Sequence, residues 1–325
     1  MTARTRTCFL GSGEFAVPVA AALAEHPAVE LAAVVTNPPR PAGRRQQLRP
    51  TPVGEWAAAA GLPTLTPVRL RAAESRAEVA ALAPGLMVLA DYGQIVPAEL
   101  LALPAHGALN LHPSLLPRYR GASPIPAAIL AGDEEAGVTL MLMDEGLDSG
   151  PIVAQRTVEL RGDETAPELE LRLAEVAAGL IAGQLGEWLR GELEPRPQPA
   201  AGMTMTRPLR RVDGALDPAM PALLLERQVR AYQPWPGAHL ETAAGRVAVW
   251  RARVVAGEPE MAAPLPGTIV VVDGLPALAT TEGLLELVEV QPAGGRRMGG
   301  AALLRGRPGI IGSRVESPPG ARPGA

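Results

Sequence analysis

The 325 residues contain no lysine, so arginine supplies all 30 basic side chains. With alanine, glycine and proline also abundant, this reads as a bias of the coding sequence, and the arginines as a class mark no function. Aromatic residues make up 3% of the chain, so its cores must rest on Leu, Val, Ile and Ala. The single cysteine, Cys8, excludes a disulfide within the chain. No CxxC or His-x-x-x-His spacing suggests a metal, and none is expected. Cys8 lies in an apolar stretch and reads as a small core hydrophobe. No apolar run approaches the roughly 20 residues of a membrane-spanning helix, and the first residues lack the apolar region of a signal peptide. The expectation is a cytoplasmic protein with no membrane partner. The net charge of −4 lacks the strong basic signature of a DNA-binding domain. From Arg207 onward, however, 14 Arg stand against 11 Asp and Glu, which leaves that part at +3 and the rest at −7. The mildly basic half is compatible with touching phosphates.

The length favours two domains over one. Apolar stretches alternate with helical patterns through the first half, as in an α/β protein with a mainly parallel sheet. Thr7–Gly11 reads as a buried strand, and Gly11-Ser12-Gly13-Glu14-Phe15-Ala16 as the turn into a helix to His26. A nicotinamide fingerprint needs a third glycine where Ala16 stands. It also needs an acidic residue after the second strand, Leu31–Thr36, and none is there. Leu86–Ala90 is a strongly buried strand, with Asp91–Pro97 as the loop at its carboxyl end. Thr165–Arg190 is one long amphipathic helix with Leu169, Leu173, Val176, Leu180 and Leu185 on its apolar stripe. The Pro-rich, polar stretch after it reads as a linker.

Ala108–Gly121, ALNLHPSLLPRYRG, carries the chemistry. It opens as a short apolar strand, and two prolines and a glycine then keep the chain out of helix and sheet. Asn110 and His112 are two apart, so on an extended strand they share a face. Downstream, Asp144-Glu145-Gly146-Leu147-Asp148-Ser149-Gly150 sets Asp148 between two glycines. These three residue types suffice for acyl transfer. An imidazole moves a proton, an amide N–H meets a developing oxyanion, and a carboxylate orients the imidazole and holds its charge.

The pattern Asn-x-His-Pro-Ser-Leu-Leu-Pro-x-Tyr-Arg-Gly followed by Asp-x-Gly-x-Asp-x-Gly resembles the folate-dependent formyltransferases over roughly residues 5 to 305. The resemblance implies a Rossmann-like formyltransferase domain over 1–190, a linker over 191–205, and an OB-like β-barrel over 206–312. The tail 313–325 is expected to be disordered. It implies Asn110, His112 and Asp148 as catalytic residues, and 10-formyltetrahydrofolate as formyl donor. The folate site would be formed by Leu89, Asp91 and Tyr92 around the loop after the buried strand, mostly through backbone groups. Ser114, Leu115, Leu116 and Pro117 would complete it by backbone and apolar contact.

The pattern is similar to that of family members that act on initiator methionyl-tRNA. Asn37–Val53 is too rich in Pro and Arg for regular structure. It is either a solvated connection or, as the resemblance implies, a basic finger that contacts tRNA through Arg40, Arg44, Arg45 and Arg49. Family members often carry lysine where Gln46, Gln47 and Arg207 stand. Short strands separated by Gly and Pro at 246–255, 267–272 and 284–290 suggest a small antiparallel barrel. There Gln291–Met298 resembles a family loop that would bring Arg296 and Arg297 to phosphates, and Thr206-Arg207-Pro208-Leu209 resembles a separate family segment that implies Arg207 as a further tRNA contact. In Arg230-Ala231-Tyr232-Gln233-Pro234-Trp235-Pro236 the tryptophan reads as packed into the second core. A monomer is expected. The Asn-His-Asp set alone leaves open a small acceptor, such as glycinamide ribonucleotide or a sugar nucleotide, and a hydrolase that releases formate.

Overall fold

The computed structural model describes residues 4–42, 46–243, 245–255 and 264–317. Arg44, Arg45 and the tail beyond Ser317 lie outside the described residues. The chain divides into two compact units, one of Met1–Pro124, Glu135–Glu159 and Glu168–Arg207, the other of Ile125–Glu134, Leu160–Pro167 and Pro208–Ala325. Two inner segments therefore group with the second unit rather than with the rest of 1–190. Arginines hold them there: Arg227 Nη1 donates to the Ala131 carbonyl and Arg230 Nη1 to the Glu164 carbonyl, each at 3.0 Å. Among the described residues no helix is long and apolar enough to cross a membrane.

The elements run β1 (Thr5–Gly11), α1 (Ala16–Glu25), β2 (Val29–Val35), β3 (Arg40–Ala42), β4 (Gln47–Arg49), α2 (Pro52–Ala59), β5 (Thr64–Leu65), α3 (Ala73–Ala81), β6 (Leu86–Ala90), α4 (Ala98–Leu101), β7 (Ala108–His112) and β8 (Arg120–Gly121). They continue with α5 (Pro124–Ala131), β9 (Glu135–Leu142), β10 (Ile152–Glu159), α6 (Ala166–Leu189) and β11 (Met205–Thr206). The main sheet has the order β10-β9-β7-β6-β1-β2-β5. It is parallel from β7 to β5 and antiparallel at β7/β9 and β9/β10. β6 is buried along its whole length, which is why it reads as an unbroken apolar run. Cys8 is fully buried in the core between β1 and its neighbours, and that burial pushes its thiol up to about 11. From β1 the chain lays β2 and β5 on one side, then returns to lay β6 and β7 on the other. That reversal puts the topological switch point of the sheet, where ligands bind in open α/β folds, at the carboxyl ends of β1 and β6.

Two stretches differ from their expected form. Residues 37–53 are not wholly irregular, because β3 and β4 pair as a two-stranded ribbon, Arg40 opposite Arg49 and Pro41 opposite Leu48. A ribbon has two open edges, so a proline without an N–H is tolerated. The stretch 191–205 is not a free linker. Arg196 pairs with Ile152, Thr204 with Arg120 and Pro117, and β11 runs parallel to β8.

The second unit continues with α7 (Ala222–Ala231), β12 (Ala238–Thr242), β13 (Gly245–Val255), β14 (Ile269–Val272), β15 (Leu275–Ala279), β16 (Leu284–Pro292), β17 (Met298–Gly299) and α8 (Gly300–Gly306). Where a barrel is expected, the structure has an antiparallel sheet of order β12-β13-β16-β15-β14, with β17 on β16. Leu225, Val229, Leu240, Val249, Leu278, Leu285 and Leu303 are among the residues filling its core. Trp235 is not in that core. It lies between two prolines and is 53% exposed. The core also takes in Val315, whose N–H donates to Gly267, so the tail expected from 313 is packed as far as that residue.

Glu286 on β16 is fully buried, and the Arg253 guanidinium on β13 covers its carboxylate. Removing one partner of such a pair leaves an uncompensated buried charge. Arg253→Ala is expected to lower the stability of this unit by about 3 kcal/mol, and adding Glu286→Gln should restore part of it. Thermal unfolding of the single and double variants checks this.

Candidate active site

β7 runs parallel to β6 and ends beside the switch point. Asn110 stands opposite Leu89 of β6 and Met141 of β9, and His112 opposite Thr139. The Asn110 side chain is half-buried and, among the described residues, makes no hydrogen bond, so its amide N–H is left for an acceptor from outside the chain. His112 is 5% exposed. Its Nε2 lies 2.9 Å from the Tyr119 carbonyl and its Nδ1 3.7 Å from Asp148 Oδ2. Both ring nitrogens thus face acceptors, and only the imidazolium offers a proton to each.

Asp148 is carried back toward His112 by the loop after β9. Asp144 shapes that loop, accepting from the Gly146 N–H at 3.0 Å and from Ser149 Oγ at 2.8 Å. Asp148 itself has φ +50° and Tyr119 φ +59°, so both residues flanking the imidazole hold a backbone conformation that L residues rarely adopt. Asp148 Oδ2 accepts the Gly121 N–H at 2.8 Å. The structure therefore brings Asn110, His112 and Asp148 together as one set.

The loop between His112 and Gly121 is locked from below. Fully buried Thr139 donates to the Ser114 carbonyl at 2.6 Å and accepts from the Leu116 N–H at 3.1 Å. Gln155 Nε2 donates to Thr139 Oγ1 and to the Leu116 carbonyl. Ser114 Oγ donates to the Arg118 carbonyl at 2.6 Å. Ser114 and Leu116 are buried, and Leu115 and Pro117 are half-buried.

Leu89 and Tyr92 are core side chains. Burial pushes the Tyr92 phenol up, and its hydroxyl has no partner among the described residues. The Tyr92 carbonyl already accepts from Asn37 Nδ2 at 2.6 Å and Ser12 Oγ at 3.3 Å. The Asp91 carbonyl accepts the Ser12 and Gly13 N–H groups. The loop after β6 is thus clamped to the glycine turn after β1. Although Asp91 as a residue is exposed, its carboxyl is pressed against Gly13, where a Cβ would lie 1.7 Å from Oδ2. Desolvation and the nearby Glu170 charge push that carboxyl up to about 6, against the pull of the Gly13 hydrogen bond.

Arg40 and Arg49 are exposed and face each other across the β3–β4 ribbon. Its base is tied down by the Thr36–Thr51 hydroxyl pair at 2.6 Å and by Asn37, which accepts from Gln94 Nε2 at 2.8 Å. Arg207 is exposed in the first unit. Arg296 and Arg297 are exposed in the second, with the Arg297 guanidinium 3.4 Å above the Trp250 ring centre. The sequence reading missed the Tyr119 carbonyl, the Gly121 N–H, Thr139 and Asn37. The first two act through backbone atoms that any residue type supplies.

An asparagine, a histidine and an aspartate gathered at the end of a parallel strand, in a chain with a second, antiparallel unit, can be set beside known proteins. The chain belongs to the formyl transferase family: residues 5–183 match the formyl transferase model and 208–308 the formyl transferase C-terminal domain. The methionyl-tRNA formyltransferase of Halorhodospira halophila is 46% identical over 312 residues, covering 96% of this chain and 99% of that protein. The methionyl-tRNA formyltransferase of Roseiflexus sp. is 44% identical over 301 residues, covering 93% and 92%. Aquifex aeolicus HypX, solved in complex with tetrahydrofolic acid, shares the fold with a TM-score of 0.61 at 19% identity, over 93% of this chain and 47% of that one.

Proposed function

We propose that the chain transfers a formyl group from 10-formyltetrahydrofolate to the amino group of initiator methionyl-tRNA, with Asn110, His112 and Asp148 as catalytic residues. The observation that carries this reading is the half-buried Asn110 amide, without a partner among the described residues, beside an imidazole held between a carbonyl and a carboxylate. An amide donor left open at a strand end fits an incoming formyl oxygen. The bound donor supplies a formyl carbon already activated on nitrogen, and Ser114, Leu115, Leu116 and Pro117 would hold it against the locked loop. Asn110 donates its N–H to the oxygen on which negative charge develops as the amine attacks. His112 adds its positive charge beside that oxygen. Both of its ring nitrogens are turned to protein acceptors, so it works by charge more than as a second direct donor. Asp148 stabilises that charge and receives the proton that the attacking amine must lose; as the tetrahedral carbon collapses, its bond to the folate nitrogen breaks and that nitrogen leaves with a proton.

The acceptor half of the reading is supported by the likeness to relatives named for methionyl-tRNA at above 40% identity over nearly the whole chain, and by the paired arginines of the β3–β4 ribbon. Transfer assays with charged initiator methionyl-tRNA, glycinamide ribonucleotide, a sugar nucleotide and no acceptor test it. The expected result is transfer to the tRNA alone. Transfer only to a small acceptor would discard the tRNA reading, and formate release without acceptor would make the enzyme a hydrolase. If Arg40 and Arg49 each neutralise one phosphate, Arg40→Ala and Arg49→Ala should each reduce the slope of log affinity against log salt by about 1. The KM for the folate donor should stay unchanged.

A further inference from the structure

We infer that Gln198, in the stretch that reads as a linker, is a positioning residue for Asp148. The inference rests on reading Asp148 as the catalytic carboxylate. Gln198 Nε2 donates to two carbonyls of the Asp148 loop, those of Asp148 and Gly150, both at 2.8 Å. Gln198 Oε1 accepts from the Arg120 guanidinium, at 3.0 Å from Nε and 2.7 Å from Nη2. Those partners fix the orientation of the amide: its oxygen must face the cation and its nitrogen the carbonyls.

The consequence lies in what each end of the bridge holds. Arg120 precedes Gly121, whose N–H donates to Asp148 Oδ2. One half-buried side chain therefore fastens the backbone of Asp148 to the strand that binds its carboxylate. β11 supports the same strand. It pairs in parallel with Arg120 and Gly121, and Thr206 Oγ1 donates to the Arg120 carbonyl at 3.0 Å. Asp148 sits at φ +50°, a conformation that persists only where its surroundings impose it. The two Gln198 donors are such a restraint. The carboxylate stands 3.7 Å from His112 Nδ1, so a shift of the loop by an ångström decides whether the two groups pair. A misplacement of that size can lower a rate by about 100-fold without touching binding.

The test is formyl-transfer kinetics on the full chain with Gln198→Ala, Gln198→Glu and Asp148→Asn, each single and in combination, with thermal unfolding measured alongside. Asp148→Asn is expected to lower kcat by about 100-fold or more. Gln198→Ala should lower kcat by about 10- to 100-fold while both KM values stay within about twofold. Gln198→Glu keeps an acceptor for Arg120 but turns a carboxylate oxygen toward two carbonyls, so it should lose as much. In the Asp148→Asn background either Gln198 substitution should change kcat by less than about twofold, because residues acting as one unit are not additive. Wild-type kcat for Gln198→Glu would overturn the inference, as would the same fold-loss with and without the Asp148 carboxylate, or failure of both Gln198 variants to fold. Wild-type turnover of Asp148→Asn would instead remove the reading of Asp148 on which the inference stands.

Discussion

Asn110→Ala is expected to lower kcat by about 100- to 1000-fold while leaving the protein folded. Removing one preformed donor to a developing oxyanion has an effect of that size. The structure says why stability should be spared. The Asn110 side chain is half-buried and makes no hydrogen bond among the described residues, so its loss strands no partner inside the protein. The change in unfolding free energy should stay within about 1 kcal/mol. Asn110→Asp sharpens the test. It keeps shape and volume but brings a negative charge to the place where negative charge must develop, so it should be slower than the alanine variant. Single-turnover transfer with donor and acceptor both saturating separates this loss from any change in binding. An Asn110→Ala enzyme within a few-fold of the unsubstituted rate would remove the oxyanion role.

The parts of this arrangement legible in the sequence are those written in short-range pattern. The buried strand Leu86–Ala90 was legible to the residue, because five apolar side chains bounded by Gly85 and Asp91 leave no other register. The long helix over 166–189 followed from its apolar stripe. Asn110 and His112 shared a face because a strand alternates. Other features needed a signal that was present but not read. α2 begins at Pro52, inside the stretch expected to be irregular, because Thr51 Oγ1 caps it through the Gly54 N–H and proline suits the first helical position. β15 was missed although Asp273-Gly274, both at positive φ, form the two-residue turn that folds it back on β14.

A third group left no local trace. The stretch 191–207 has the prolines, glycines and polar residues of a linker. Its order comes from hydrogen bonds to residues some 50 to 90 positions away, such as Gln198 to Asp148 and Thr206 to Arg120. Nothing in its own composition signals them. Trp235 was misplaced for a related reason. Aromatic residues generally pack, but this core is already filled by leucine and valine, and the turn between two prolines leaves the ring 53% exposed.

Gly121→Ala should be among the most damaging single-methyl changes in the first unit, acting on fold and chemistry together. Gly121 has φ +101°, a conformation closed to residues with a Cβ. A Cβ built there would lie 2.2 Å from the Thr206 carbonyl oxygen, which is backbone of the paired strand and cannot swing aside. Either β8 parts from β11 or residue 121 changes conformation, and in both cases its N–H leaves Asp148 Oδ2. Backbone strain of this kind is worth about 1–3 kcal/mol, so the unfolding midpoint should drop by several degrees. Turnover should fall further than stability alone explains, because the carboxylate loses its donor at 2.8 Å and with it its place beside His112. Gly191→Ala supplies the control. That glycine also has positive φ, +72°, but a Cβ there meets nothing within 4 Å, so it should show part of the stability loss and keep its kcat. Circular dichroism melts and formyl-transfer rates on the two variants separate these effects. A Gly121→Ala enzyme no slower than Gly191→Ala would mean that the Gly121 N–H does not hold the carboxylate, and that Asp148 keeps its position through its own loop.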